Sequence, residues 1–104
     1  MSSEQRFFIV CLGDSEQHKP NTLVGVFSNM KVMFDSISST FYNELMNAYV
    51  IGTRKNLDAS YNAVVNIISR DSKCVIYKKE DNNVLFKIQT IHMNTINPIF
   101  NEEN

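Results

Sequence analysis

Two histidines and two cysteines are the side chains of this sequence best suited to bind a transition metal. His18 and His92 lie 74 positions apart, and neither has a ligand partner at the spacing of known metal motifs. Cys11 and Cys74 are single, so the sequence contains no CxxC pair. We therefore predict neither a metal site nor a cofactor, and the sequence leaves open whether His18 and His92 meet in the fold.

The two cysteines sit inside apolar runs, RFFIVCLG and SKCVIYKK. Free cysteine packs as a small apolar residue, so we expect Cys11 and Cys74 to be buried, reduced thiols. A disulfide would need an oxidising compartment, and the N-terminal sequence MSSEQR does not read as a secretory signal. Whether the two cysteines are neighbours in space is open at this stage.

Catalysis lacks its usual motifs in this sequence. There is no GxSxG elbow, and the three widely spaced glycines cannot form a GxGxxG or Walker loop. Acid–base chemistry would need paired carboxylates, for which Asp14, Asp35 and Glu44 are the candidates. A small enzyme would have to assemble a site from scattered residues such as Asp14, His18 and His92. Because such carboxylates are usually solvated, we predict no catalytic residue. That the protein is a small enzyme is our third hypothesis.

Basic residues suggest a second chemistry, contact with the phosphates of a nucleic acid. Residues 54–87 carry a local net charge of +3, although the whole chain has a net charge of −1. Tyr77 stands beside two lysines and could stack on a base. The candidate contact residues, for nucleic acid or for another partner, are Arg54, Lys55, Lys78 and Lys79. A solvated basic strand that prevents aggregation explains the lysines equally well.

The bulk composition describes one ordinary domain. The chain has 104 residues, of which 43% are apolar and 20% charged, which argues against general disorder. The longest apolar run is far shorter than the roughly 20 residues that span a bilayer. We therefore expect a soluble protein in the cytoplasm of the producing or host cell. We assign residues 1–104 to a single α+β domain, with 1–5 and 101–104 frayed.

The first third of the chain predicts two strands and a long connection. Arg6 to Leu12 is apolar at both alternating sets of positions, which indicates a strand covered on both sides. Residues 13–21 read as a loop, and Thr22 to Phe27 as a second strand paired with the first in a hairpin. Gly25 inside that strand predicts a bulge, or a place where a helix approaches closely.

The middle third predicts two helices. The first would be capped by Ser28, with a kink or an early end within Ser36 to Thr40, where helix propensity is poor. Its apolar positions have helical spacing: Met30, Met33, Phe34, Ile37, Phe41 and Leu45. Ala48 to Ile51 is left open as a short strand or a buried connection. The second helix would be capped by Asn56 or Asp58 and would bury Leu57, Tyr61, Val64, Val65 and Ile68.

The last third predicts a second hairpin. Lys73 to Lys79 and Val84 to His92 read as strands around a turn at 80–83. In the latter strand we expect the set containing Val84, Phe86 and Ile88 to face the core. Ile99 and Phe100, in the tail that follows, are candidates to dock on the domain. The element order is β-β-α-α-β-β, which predicts a four-stranded, mainly antiparallel sheet with two helices packed on one face.

Two segments resemble those of small uncharacterised phage and bacterial proteins. These are the strand LVGVFSN, which leads into a helix, and the closing strand VLFKIQTIHMN. The resemblance covers Phe7 to Phe34 and Val84 to Asn94. It implies a compact ββ-α-ββ fold, and it supplies no catalytic residue.

A short chain without a catalytic constellation, with two open sheet edges, predicts a non-enzymatic protein-binding module. A viral or phage accessory protein that binds and modulates a host protein is the role we expect. The same open edges predict a homodimer, and no membrane partner is expected. Met30, Met33 and Met46 are interpreted as core residues, whereas an exposed methionine patch would indicate a protein-binding face. Weak nucleic-acid binding through the basic C-terminal hairpin is the alternative.

Overall fold

One antiparallel sheet of six strands organises the part of the chain that the structure describes. The computed structural model describes residues 6–13 and 22–92. In spatial order the strands run β2-β1-β6-β5-β3-β4, and every neighbouring pair is antiparallel. Their bounds are β1 Arg6–Leu12, β2 Thr22–Phe27, β3 Ala48–Ile51, β4 Asn56–Asp58, β5 Lys73–Lys78 and β6 Val84–His92.

The prediction of an α+β fold with an antiparallel sheet is confirmed, and the prediction of four strands is wrong. The two additional strands, β3 and β4, form a hairpin between the helices. Its turn is closed by the Gly52 N–H, which donates to the Lys55 carbonyl oxygen at 2.8 Å. The strand β4 has only three residues, too few to show an alternating pattern, and for that reason its residues read as the start of a helix.

Three helices lie within the described ranges, where the sequence predicted two. They are α1 Met30–Thr40, α2 Tyr42–Met46 and α3 Tyr61–Asp71. The predicted early end lies at Thr40: Phe41 leaves helical geometry and separates α1 from α2. The cap of α1 is Asn29 and not Ser28, because the Asn29 side chain accepts a hydrogen bond from the Val32 N–H at 3.0 Å.

The cap of α3 is also corrected by the structure. Ser60 Oγ accepts a hydrogen bond from the Ala63 N–H at 3.2 Å, and the helix begins at Tyr61. The predicted caps Asn56 and Asp58 lie in β4, as does Leu57, which was assigned to the buried helical face. Asp58 instead faces Lys79 of the neighbouring turn, with 2.9 Å between Oδ1 and Nζ.

The core lies between the helices and one face of the sheet, which we call the inner face. Residues of the inner face share the cross-strand register of Phe86 and Ile88 on β6, both fully buried. Phe86 packs edge-on against Phe41, with ring centroids 5.0 Å apart. The other large side chains of the cluster that are fully buried are Val10, Met33, Val50, Val64, Cys74 and Ile76. The core orientation expected for Phe86 and Ile88 is therefore confirmed.

The opposite side of the sheet, which we call the outer face, carries the alternate residues. Lys87 and Gln89 of β6 share it with Cys11 and Ile9 of β1, their register partners. Lys87 is 8% exposed and Gln89 5%, so β6 is buried on both faces. The sequence placed this polar pair on the face opposite the core, but it did not predict that both side chains would be buried.

Two glycines permit close approaches, Gly25 inside β2 and Gly13 just after β1. A Cβ on Gly25 would lie 2.7 Å from the ring of Phe27, and a Cβ on Gly13 would overlap the side chain of Val84. Beside Gly25 the β1–β2 register shifts, since Val10 pairs with Gly25 and Cys11 with Leu23. The irregularity predicted at Gly25 is found there, whereas the close contact is with Phe27 of the same strand and not with a helix.

Candidate binding surfaces

The residues proposed for acid–base or metal chemistry are dispersed as far as the structure describes them. Asp35 pairs with Lys31 at 2.9 Å on α1, Glu44 is exposed on α2 and His92 ends β6. Asp14 and His18 lie outside the described residues. Within residues 6–13 and 22–92, no group of three histidine, cysteine or carboxylate side chains could hold a metal ion.

The two cysteines lie on opposite faces of the sheet. Cys74 pairs with Ile88 on the inner face, and Cys11 pairs with Lys87 on the outer face, so they are not neighbours. Burial raises the pKa of the Cys74 thiol to about 12, and the charge of Asp71 adds to the rise. Burial also raises the pKa of Cys11, against a smaller opposing effect of Lys87. Both cysteines are free thiols, which are protonated, and therefore weakly nucleophilic, at neutral pH.

The four basic candidate residues fall at two separate ends of β3. Arg54 and Lys55 lie in the β3–β4 turn, whereas Lys78 pairs with Ala48 at the opposite end of β3. Four residues of strand place these ends about 10 Å apart. Lys79 is held by Asp58 at 2.9 Å, and Lys78 lies 3.9 Å from Asp81. The structure therefore does not gather the four residues into one basic patch.

An aromatic pair lies on the outer face near Lys79. Tyr49 of β3 and Tyr77 of β5 are register partners, and their rings stack with centroids 5.3 Å apart and an interplanar angle of 20°. The Tyr49 hydroxyl donates to Asn82 Oδ1 at 3.0 Å. An open depression of 340 Å³ lies alongside, lined by Tyr49, Asn56, Leu57, Asp58, Lys79 and Asn82. Tyr49 was missed from the sequence because only strand pairing brings it to Tyr77.

The edge of the described sheet that β2 forms is uncharged and apolar. The strand TLVGVF contains no charged residue, no proline and only one polar side chain. Val24 is 39% exposed and Val26 is 54% exposed, and Val26 shares the outer face with its register partner Ile9. Among the described strands β2 is outermost, so one side of its backbone faces away from β1.

The opposite edge of the sheet is protected. The strand β4 has three residues, and its Asn56 and Asp58 are exposed beside the positive charge of Lys79. Short length and charged side chains are devices by which proteins discourage pairing of an edge strand with another chain. Of the two edges of the described sheet, β2 is therefore the less protected against strand addition, although the register shift beside Gly25 interrupts its regular pairing.

A second exposed apolar group lies on α2. Tyr42 and Met46, one helical turn apart, are 60% and 59% exposed. Met33 is buried and Met30 packs against the core, as expected, but Met46 is not a core residue. The helix α2 has five residues and begins directly after the break at Phe41. Of these residues only Leu45 is buried.

Comparison of the chain with protein-family models, with curated proteins and with solved structures found no match. No helix in the described ranges is both long and apolar enough to cross a bilayer.

Proposed function

We propose that this protein is a non-enzymatic module that binds another protein by accepting an extended segment of that partner at the edge of β2. The observation that carries the proposal is an uncharged outermost strand whose two valines, Val24 and Val26, are exposed. Exposed backbone N–H and C=O groups of such a strand bind an added strand, and the side chains beside it provide selectivity.

The surface favours a particular chemistry in the partner segment. Val26 and Ile9 offer an apolar strip on the outer face next to the edge. A segment of extended backbone with β-branched or aromatic residues at alternate positions would cover that strip. Since β2 carries no charge, the partner needs no charged anchor at its centre.

The biological setting of this binding rests on the resemblance of LVGVFSN and VLFKIQTIHMN to small phage and bacterial proteins. The proposal is that the protein acts as a viral or phage accessory protein that modulates a host protein in the cytoplasm. Two free thiols, Cys11 and Cys74, are compatible with a reducing compartment.

The test uses two lysine variants matched in exposure. Val26→Lys places a charge on the β2 edge, whereas Ile51→Lys places the same charge at a 52% exposed position on β3. Wild type and both variants serve as baits in host lysate, and the captured proteins are identified by mass spectrometry. We expect a specific partner with wild type and Ile51→Lys that is lost with Val26→Lys. Equal capture by all three baits would show that β2 is not the binding edge.

Weak binding of single-stranded nucleic acid is a second candidate, favoured by the Tyr49–Tyr77 stack beside Lys79. Tyrosines on a sheet face stack on bases. Against it stand the ion pair of Lys79 with Asp58 and the separation of Lys78 from Arg54.

Fluorescence anisotropy with a labelled oligonucleotide at low salt separates this candidate from strand addition. If the stack binds bases, Tyr77→Ala abolishes the complex, and Tyr42→Ala on α2 leaves it unchanged. A complex that forms would also weaken steeply with added salt. If no complex forms at low salt, nucleic-acid binding is excluded as the function.

A further inference from the structure

We infer that β2 also pairs with β2 of a second copy of this chain, so that the free protein forms a homodimer with a continuous sheet across a twofold axis. The inference rests on the proposed function, because it names a partner for the same edge. It follows from the contrast between the two ends of the sheet: β2 is uncharged, whereas β4 is short and polar.

A second copy suits this edge because antiparallel pairing of a strand with itself is self-complementary. In a twofold interface the same patch is used on both subunits, so each exposed backbone donor meets an equivalent acceptor. A charge on β2 would face its own copy near the axis and repel it, and β2 carries none. The net charge of −1 adds little repulsion between whole chains.

The valines add cross-strand contacts to the backbone pairing. Val26 lies on the outer face with Ile9, and in the dimer it would lie beside the outer-face residues of the partner's β2. Pairs of β-branched residues across antiparallel strands stabilise a sheet. Burial of two 54% exposed valines, one from each copy, is a gain that the polar β4 edge does not offer.

The register shift beside Gly25 limits the length of the interface. It separates Leu23 from the stretch Gly25–Phe27, which pairs regularly with β1. A bulge increases the local twist of an edge strand, so pairing is centred on the stretch after it. Such a small interface dissociates readily, and a partner segment that binds β2 would displace the second copy.

The first experiment measures the mass of the protein by light scattering after size-exclusion chromatography, from about 10 µM to about 1 mM. For wild type we expect the mass to rise with concentration from the 12.0 kDa of one chain toward twice that value. Val26→Lys should stay at the mass of one chain, and Ile51→Lys should behave as wild type. Val26→Thr, which keeps β-branching without a charge, should retain the rise.

The second experiment traps the pair covalently and reads out its register. In a Cys11→Ser background, Val24→Cys, Val26→Cys and the control Ile51→Cys are oxidised, and dimers are counted on a non-reducing gel. We expect a cross-linked dimer with a cysteine on β2 and none with Ile51→Cys. Far-ultraviolet circular dichroism verifies that each variant is folded.

The outcomes separate this inference from the proposed function. A wild-type protein that stays at the mass of one chain and gives no β2 cross-link overturns the dimer, while β2-dependent capture of a partner can still hold. Cross-linking that is faster through Ile51→Cys than through β2 also overturns it, because association would then use the other end of the sheet. A dimer without any β2-dependent partner would instead overturn the proposed function.

Discussion

The buried hydroxyl of Thr90 lowers the stability of the fold. Thr90 is 4% exposed on the inner face, and its Oγ1 has no hydrogen-bond partner among the described residues. A buried hydroxyl without a partner loses its hydration and gains nothing in return. The residue is held in place through its backbone, since its N–H donates to the Ser72 carbonyl oxygen at 2.9 Å.

Replacement of Thr90 by valine should therefore stabilise the fold. The shape is kept and the unpaired hydroxyl is removed, so we expect the free energy of unfolding to rise by about 1 kcal/mol. Thr53→Val is the matched control, because Thr53 Oγ1 is exposed and accepts a hydrogen bond from Arg70 Nη1 at 2.9 Å. Chemical denaturation measures both, and a Thr90→Val variant less stable than wild type would contradict the expectation.

Cys74 predicts a pH dependence of stability on the alkaline side. Burial raises the pKa of its thiol from 9.0 to about 12 in the folded chain. Between those values the unfolded chain has lost the thiol proton while the folded chain keeps it, so folding stability falls as pH rises. One such group lowers the free energy of unfolding by up to about 1.4 kcal/mol per pH unit.

The Cys74→Ala variant isolates this effect from other groups that titrate at high pH. At pH 7 the variant should be less stable than wild type, because a buried sulfur atom is lost. We expect that difference to shrink steadily as urea unfolding is repeated at increasing pH above 9. A difference that stays constant with pH would show that the thiol does not stay protonated in the folded chain.

At the scale of elements, the cap of α3 decides which residues begin the helix. Ser60→Ala removes the acceptor for the Ala63 N–H, and we expect a loss of about 1 kcal/mol in the free energy of unfolding. Asp58→Ala removes only an exposed ion pair with Lys79, whose contribution is small. Thermal or chemical denaturation measures both variants. If Asp58→Ala loses more free energy of unfolding than Ser60→Ala, the sequence-based prediction that Asp58 caps the helix would be supported instead.

The strands with clear apolar patterns were predictable to the residue. The bounds predicted for β1, β2 and β6 coincide with those observed, and that of β5 differs by one residue. The hairpin of β3 and β4 was not predicted. Asn56 and Asp58 are good helix-cap residues, and with Leu57 they precede an apolar pattern of helical spacing. Pairing with β3, a tertiary contact, overrides that local preference.

At the scale of the whole molecule, strand order decides which candidate residues meet. The order places β6 at the centre and β3 beyond β5, neither of which follows from a local pattern. Sequence reasoning therefore grouped Arg54 and Lys55 with Lys78 and Lys79 by their charge, and it paired Tyr77 with lysines instead of Tyr49. By contrast, the uncharged character of β2 was readable in TLVGVF, although its position at the edge was not.

The same strand order predicts where the molecule opens last. The strand β6 pairs with β1 from Phe86 to His92 and with β5 from Val84 to Gln89, and both of its faces are buried. Its amide protons should exchange with solvent only when the whole domain unfolds. The three residues of β4 pair on one side only, so their amides should exchange much faster through local opening.

Hydrogen exchange followed by nuclear magnetic resonance tests this order and links it to the edge of β2. We expect protection to be highest in β6 and lowest in β4 at every protein concentration. In β2 the amides that point away from β1 should gain protection as concentration rises, since pairing with a second copy shields them from water. Exchange in β6 as fast as in β4 would contradict the central position of β6. If β6 is protected but exchange in β2 does not depend on protein concentration, the strand order stands and pairing of β2 with a second copy is contradicted.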